Sequence, residues 1–296
     1  MDEVPVVEVS QRKLKLSKLV AELKGLPWIP LIIILAILFV ALFAPLITPH
    51  NPDEITLPQR LQPPAWEEGG SPEHLLGTDT LGRDLLTRIF YGARVSLIVV
   101  ALVLSAGGIV GLSLGILAGY RKGIVGAVIM RVVDSLMAIP GFLMALVFAM
   151  SLQPGMKTIV IAIAITMWAR FARVIRGEVL SVATRDYILQ AKVAGCSPLR
   201  IMILHILPNI FNTFMIIISL NVGWVILIEA SLSFLGVGIP PPTPSWGQMV
   251  SEGRGYITTA WWICFFPGLS LSLAVLAFNL FGDWLRDKLD PKLRQL

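Results

Sequence analysis

The chain alternates long apolar runs with shorter polar connections. Six of the runs hold the roughly 20 mostly apolar residues that an α-helix needs to cross about 30 Å of hydrocarbon. They cover residues 28–47, 95–120, 124–150, 158–174, 210–235 and 257–284. The fourth ends where Arg170, Arg173 and Arg176 crowd in at helical spacing. The first exceeds the ~7–15 apolar residues of a secretory leader and no small-x-small cleavage site follows it, which predicts a retained anchor. The pattern divides the chain into a segment 1–27, the anchor 28–47, a loop 48–94 with an interfacial helix, a core 95–284 interrupted by a polar stretch at 184–209, and a tail 285–296.

Composition agrees with that reading. The chain is 55% hydrophobic and 15% charged, with mean hydropathy +0.78, whereas soluble domains carry about 25% charged residues. The fold class expected is therefore all-α and integral to a membrane. A net charge of +5 does not call for nucleic acid, because Lys and Arg in such a chain first belong to loops on the cytoplasmic side. Arg12, Lys13, Lys15, Lys18 and Lys24 precede the first run, Arg121 and Lys122 follow the second, Arg185, Lys192 and Arg200 sit in the polar stretch, and Arg286, Lys288, Lys292 and Arg294 end the chain. With six spans these fall on one side, so both termini are expected in the cytoplasm.

Candidate chemistry is sparse. Cys196 and Cys264 are too far apart for a metal-binding or redox pair, and His50, His74 and His205 form no zinc-protease spacing. No phosphate-binding glycine loop or serine-hydrolase elbow occurs. No catalytic residue, metal site or cofactor of the chain's own is expected. Gly107, Gly111, Gly115 and Gly119 strip one side of the second span to backbone and predict close approach of another helix, within the chain or from a second subunit. Pro30, Pro45, Pro140 and Pro267 can bend their spans. Ionisable residues inside spans are costly and so are functional candidates. Arg131 and Asp134, at i and i+3, read as a mutual pair or as substrate contacts. Glu229 has no obvious local partner and reads as an interhelical hydrogen bond or a pathway residue.

The polar stretch RDYILQAKVAGCSPLRIMILHILPN, residues 185–209, reads as two short helices. Thr184 or Asp186 can cap the first, Gly195 stops it, Ser197 and Pro198 restart the second, and Pro208 separates that from the next span. Tyr187, Ala191 and Ala194 share a face, suited to docking a partner or to resting on the inner leaflet. On the other side, Leu81, Leu85, Ile89 and Phe90 form an apolar stripe beside Arg83, Asp84 and Arg88, as in a helix lying on the membrane surface. Pro240, Pro241, Pro242 and Pro244 stiffen a loop that Trp246 would anchor at the interface.

Leu189-Gln190-Ala191, three residues, Gly195, nine residues and His205-Ile206-Leu207-Pro208 resemble the EAA signature of ABC importer permeases. Leu189 and Gln190 stand in place of Glu and Ala, and His205 in place of Ile. HLLGTDTLGRDLLTRIFYGARVSL (74–97) and EASLSFLGVGIPPPTPSWGQM (229–249) are similar to the peptide-type permeases, in particular the second of their two permease subunits. The resemblance runs from about Trp28 to the end. It implies the six-span type I permease fold in a cell inner membrane, pairing with a homologous permease, two ATP-binding subunits and an external substrate-binding protein. ATP and Mg would be held by those partners, since the longest cytoplasmic segment, about 30 residues, is too short for an ATPase domain. Coupling helices would carry Asp186, Tyr187, Gln190, Ala191, Gly195, Ser197, Arg200, His205 and Pro208, and the binding protein would dock over Asp79, Arg83, Pro242 and Trp246. The cargo implied is a peptide, with nickel chelates, glutathione and oligosaccharides carried by relatives. The rivals are a secondary transporter or channel, disfavoured by the lack of an internal repeat, and an intramembrane hydrolase, disfavoured by spans without histidine. A purely structural subunit is the third.

Overall fold

The computed structural model describes residues 26–121 and 123–289, and these form a helical bundle with no strand among them. The basic residues before Trp28, Lys122, Lys292 and Arg294 lie outside the described residues. Helix α1 spans Trp28–Ile47, α2 Leu85–Tyr120, α3 Ile124–Met137, α4 Gly141–Ser151, α5 Met156–Val182, α6 Asp186–Val193, α7 Pro198–Phe234, α8 Trp246–Gly253 and α9 Trp262–Leu289. Five of these (α1, α2, α5, α7, α9) are long and apolar enough to cross a bilayer. The pair α3 and α4, bent by 86° at their junction, makes a sixth crossing if the two are counted as one broken span. The run expected at 124–150 is thus bent at Pro140, one of the prolines read as able to bend a span. Pro140 has no N–H to continue the ladder and pushes Ile139 out of helical geometry, so the run breaks there.

Three boundaries move for physical reasons. The expected interfacial helix before the second span does not exist separately. Asp84 caps α2 by accepting from the Thr87 N–H at 2.8 Å, and the helix then runs unbroken for 36 residues. The arginines expected to close the fourth span lie inside α5, which continues to Val182. Pro208 does not separate anything. Its missing N–H is absorbed by a wider π-turn at Ile201–Ile206, and α7 passes through as one helix of 37 residues.

The glycine ladder sets the central packing, and it faces α5 of the same chain. Gly107, Gly111, Gly115 and Gly119 meet Met167, Phe171, Ile175 and Val179 in turn, a constant offset that makes the two helices parallel. A Cβ on Gly115 would sit 2.8 Å from Ile175 Cβ and 2.9 Å from the Ala172 carbonyl, so only bare backbone lets the helices come this close. Helix α7 packs on both members of this pair, α1 on α2, and α9 on α7 and α1, while α8 is a short plug wedged between α7 and α9. One apolar core fills the half of the bundle around α8, and a second gathers at the end that carries α6.

Candidate functional site

At the α6 end, the fold builds a foot. Neither Thr184 nor Asp186 caps α6. Arg185 occupies the cap position without a side-chain bond, and Asp186 places its carboxylate in the first turn, where it favours the helix dipole. Gly195 ends the helix at φ +78, with Gly195 N–H donating to Lys192 O at 3.1 Å and Cys196 N–H to Ala191 O at 3.0 Å. That pair of bonds is a Schellman stop, which needs a left-handed residue at this position. Ser197 then accepts from Arg200 N–H and Pro198 opens α7, as expected. The face proposed for docking divides. Ala191 turns inward with Ile188 and packs with Ile201 and Ile206 against Ile116 of α2 and Ile175, Val179 and Val182 of α5. The opposite side leaves Tyr187, Leu189, Val193, Leu199 and Leu204 exposed, Val193 at 90%. Lys192 lies 5.4 Å from the Tyr120 ring centroid, tying the foot to the end of α2. Gln190, Arg200 and Asp186 are exposed around this patch, and His205 sits in the π-turn, its carbonyl accepting from Asn209 Nδ2 at 2.7 Å.

Inside the bundle, the expected Arg131–Asp134 pair is not made. Asp134 instead takes the guanidinium of Arg173 on α5, which reaches across between helices, and both groups stay roughly half exposed. Arg170, one turn before, stacks 4.6 Å from the Trp224 ring centroid on α7. Glu229 does have a local partner. It is fully buried and accepts from Ser233, four residues on, at 2.9 Å, and from Ser96 of α2 at 3.3 Å. Of the two readings for this residue, the interhelical hydrogen bond is the one the geometry realises.

The opposite end holds a buried charge network that periodicity had placed on the surface. Arg83 Nε lies 2.6 Å from Asp79 Oδ2, and its Nη2 reaches Glu252 Oε2 of α8 at 3.0 Å. Arg88, fully buried, adds longer contacts to the same two carboxylates and donates to the Pro52 carbonyl at 3.2 Å. Asp79 also accepts from the N–H groups of Leu81 and Arg83. Asp79 and Arg83 are therefore corrected from docking residues to internal braces. Trp246 is likewise no interfacial anchor: it is 2% exposed, its face presses on Gly92, and its Nε1 donates to Ile89 O at 3.0 Å. Pro242 alone of that group is exposed. The loop also brings together what the sequence kept apart, His50 and His74, with ring centroids 4.8 Å apart and Asp84 beside them. Sequence spacing of 24 residues carried no metal-site signal.

Comparison with known proteins bears on this architecture. Residues 111–295 match the family described as binding-protein-dependent transport system inner membrane component, and residues 26–64 match the N-terminal transmembrane domain of oligopeptide transport permease C. The chain belongs to this inner membrane component family. Among its relatives, a di/tripeptide transport system permease protein of Pseudomonas aeruginosa is 44% identical over 89% of this chain and 87% of its own length. Dipeptide transport system permease proteins of Haemophilus influenzae and Escherichia coli K12 are 42% and 45% identical, each over 90% of this chain and 90% and 88% of their own lengths. As an inner membrane component the chain is multi-pass, and its relatives are transport permeases rather than enzymes. The α1 anchor and the start of the following loop fall in the second match and the foot, α7 and α8 in the first, with Asp79, Arg83 and Arg88 of the brace between the two.

Proposed function

We propose that this inner membrane component is the permease subunit of an ATP-driven ABC importer for peptides of the di- and oligopeptide class. Its relatives are named for dipeptide and di/tripeptide transport, and the identity extends over nine-tenths of the chain. The observation that carries the mechanism is the foot: an exposed apolar patch whose rear face is packed onto α2 and α5 at once. Arg185, Lys192 and Arg200 lie in the foot itself, which supports a cytoplasmic location for it and for both termini. A partner ATPase that seats on Tyr187, Leu189 and Val193 pushes the rear face of the foot against both helices, so closure of the ATPases is delivered to the parallel pair that forms the bundle's centre. ATP and Mg stay on those partners. A homologous permease completes the pathway, and a binding protein delivers peptide at the rim where Pro242 is exposed.

The test is a mild-detergent pull-down of tagged chain from its native membranes, with mass spectrometry and an ATPase assay, beside Gly195→Val. Wild type is expected to bring down a Walker A ATPase and a second permease, and the variant to keep the permease but lose the ATPase. Wild type that purifies alone and still moves solute in liposomes refutes the reading in favour of a secondary transporter or channel.

A further inference from the structure

Three histidines occur in the whole chain, and the fold puts two of them in one polar cleft. His50 comes just after α1, His74 lies in the long loop and Asp84 caps α2. One ligand atom from each lies within 4.8 Å of the others, and His74 Nδ1 is 3.0 Å from Asp84 Oδ1. The cleft, about 280 Å³, is also lined by Glu54, Gln59 and Glu73. His74 and Asp84 are buried while His50 is half-buried at the mouth. Apolar contact does not account for this grouping, because the lining supplies imidazole, carboxylate and amide.

The hydrogen-bond partners orient the two rings. His50 Nε2 is 2.9 Å from the Glu73 carbonyl, which can only accept, so Nε2 carries the hydrogen and Nδ1 keeps its lone pair. The Asp84 carboxylate also only accepts, so the hydrogen between it and His74 sits on His74 Nδ1. His74 Nε2 lies 3.1 Å from Gln59 Oε1, and with that amide turned to present its NH2 the nitrogen keeps a lone pair for a metal. A histidine held from behind by a carboxylate, with the far nitrogen unprotonated, is the form that binds transition metals. We infer that this cleft binds a divalent transition-metal ion of the zinc or nickel type, through His50 and His74 with Asp84 orienting and neutralising.

Imidazole ligands suit zinc, nickel and copper rather than calcium or magnesium. Bonds of roughly 2.0–2.1 Å in a tetrahedral site put ligand atoms about 3.3 Å apart. The ligand atoms, within 4.8 Å of one another here, would draw together on metal binding as the half-buried His50 exchanges its bond to the Glu73 carbonyl for the ion. Water or the Glu54 and Glu73 carboxylates complete the shell. The bound ion would fasten the end of α1 to the start of α2, beside the Asp79–Arg83–Glu252 brace.

The test uses the full chain, carrying a histidine-free affinity tag, purified in mild detergent and stripped with a chelator. It is titrated with Co²⁺, read by d–d absorption, and then with Zn²⁺ in competition, with thermal unfolding followed in parallel. Wild type is expected to take about one equivalent, to unfold at a higher temperature when loaded, and to bind at least 10-fold more tightly than His50→Ala. Glu68→Gln, an exposed carboxylate of the same loop outside the cleft, is expected to titrate like wild type. Stripped, folded wild type that takes up neither ion overturns the proposal without recourse to a variant, and so does His50→Ala that binds as wild type does.

Discussion

Replacing Gly115 by Val tests whether the parallel contact of α2 and α5 rests on bare backbone. The first new carbon would lie 2.8 Å from Ile175 Cβ and 2.9 Å from the Ala172 carbonyl, against an ordinary separation of about 3.5–4.0 Å. Neither neighbour is the free end of a flexible side chain, so the helices must part by roughly 0.7–1 Å. A gap of that size forfeits about a quarter to a half of each contact's ~0.1–0.2 kcal/mol. Over some tens of atom pairs along the seam the loss is about 1–3 kcal/mol, the range measured for overpacked cores. Val gains a few tenths of a kcal/mol over Gly in helix propensity, too little to offset this. Gly177→Val is the matched control, since Gly177 lies inside α5 but a Cβ there meets nothing within 4 Å. Unfolding of purified chain in mild detergent, followed by tryptophan fluorescence, should fall by on the order of 5–10 °C for Gly115→Val. It should stay within about a degree for the control. Equal unfolding temperatures for the two variants would refute the packing argument.

Removing the Arg83 guanidinium (Arg83→Ala) leaves Asp79 buried beside only the longer Arg88 contact, and a loss of about 3–5 kcal/mol is expected in thermal or denaturant unfolding. A shift under 1 kcal/mol would mean the brace is solvated. Glu229→Gln keeps a carbonyl oxygen for one of Ser96 and Ser233 and offers its NH2 to the hydroxyl oxygen of the other, so stability should change by no more than about 1–2 kcal/mol and peptide uptake should persist; normal folding with lost uptake would place Glu229 on the pathway instead. Gly195→Asn, which tolerates the left-handed turn, should retain ATPase co-purification and uptake where Gly195→Val loses both, because a β-branched residue cannot hold φ +78. Equal loss in the two variants would show that the surface itself, rather than the backbone turn, is what the partner reads. Asp134→Asn removes a half-exposed ion pair and should cost at most about 1 kcal/mol in the same unfolding assay.

What could be read from the chain followed from local physics. The uninterrupted run from Trp28 to Ile47 was legible to the residue, because nothing but the surrounding polar sequence and Pro27 bounds it. The glycine ladder announced a close helix contact, though not its partner, since a bare helix face does not say what meets it. The Gly195 stop and the Ser197-Pro198 restart are each set by two or three neighbouring residues and appeared as expected. The failures share one cause. Arg83 and Arg88 among leucines look like the polar edge of a surface helix until Glu252, far along the chain, arrives to neutralise them. Trp246 looks like an anchor until Gly92 offers it a slot. Asp134 chose a partner on another helix over the one three residues away, and Ala191 turned inward because Ile188 beside it needed burial more than either face needed a partner. His50 and His74 met only through the folded loop.

The unbroken course of α7 has a mechanical consequence. At 1.5 Å per residue its 37 residues measure about 55 Å, nearly twice the hydrocarbon thickness, so a substantial part stands clear of the bilayer as a stiff arm. Had Pro208 cut the helix, a thrust on the protruding part would have been lost in a flexible joint. The wider turn at Ile201–Ile206 keeps the rod whole. An ångström-scale displacement of the outer arm is therefore passed on as tilt of the inner arm, which ends beside Glu229 and the α8 plug. The sequence that looked like a break is part of one continuous rod.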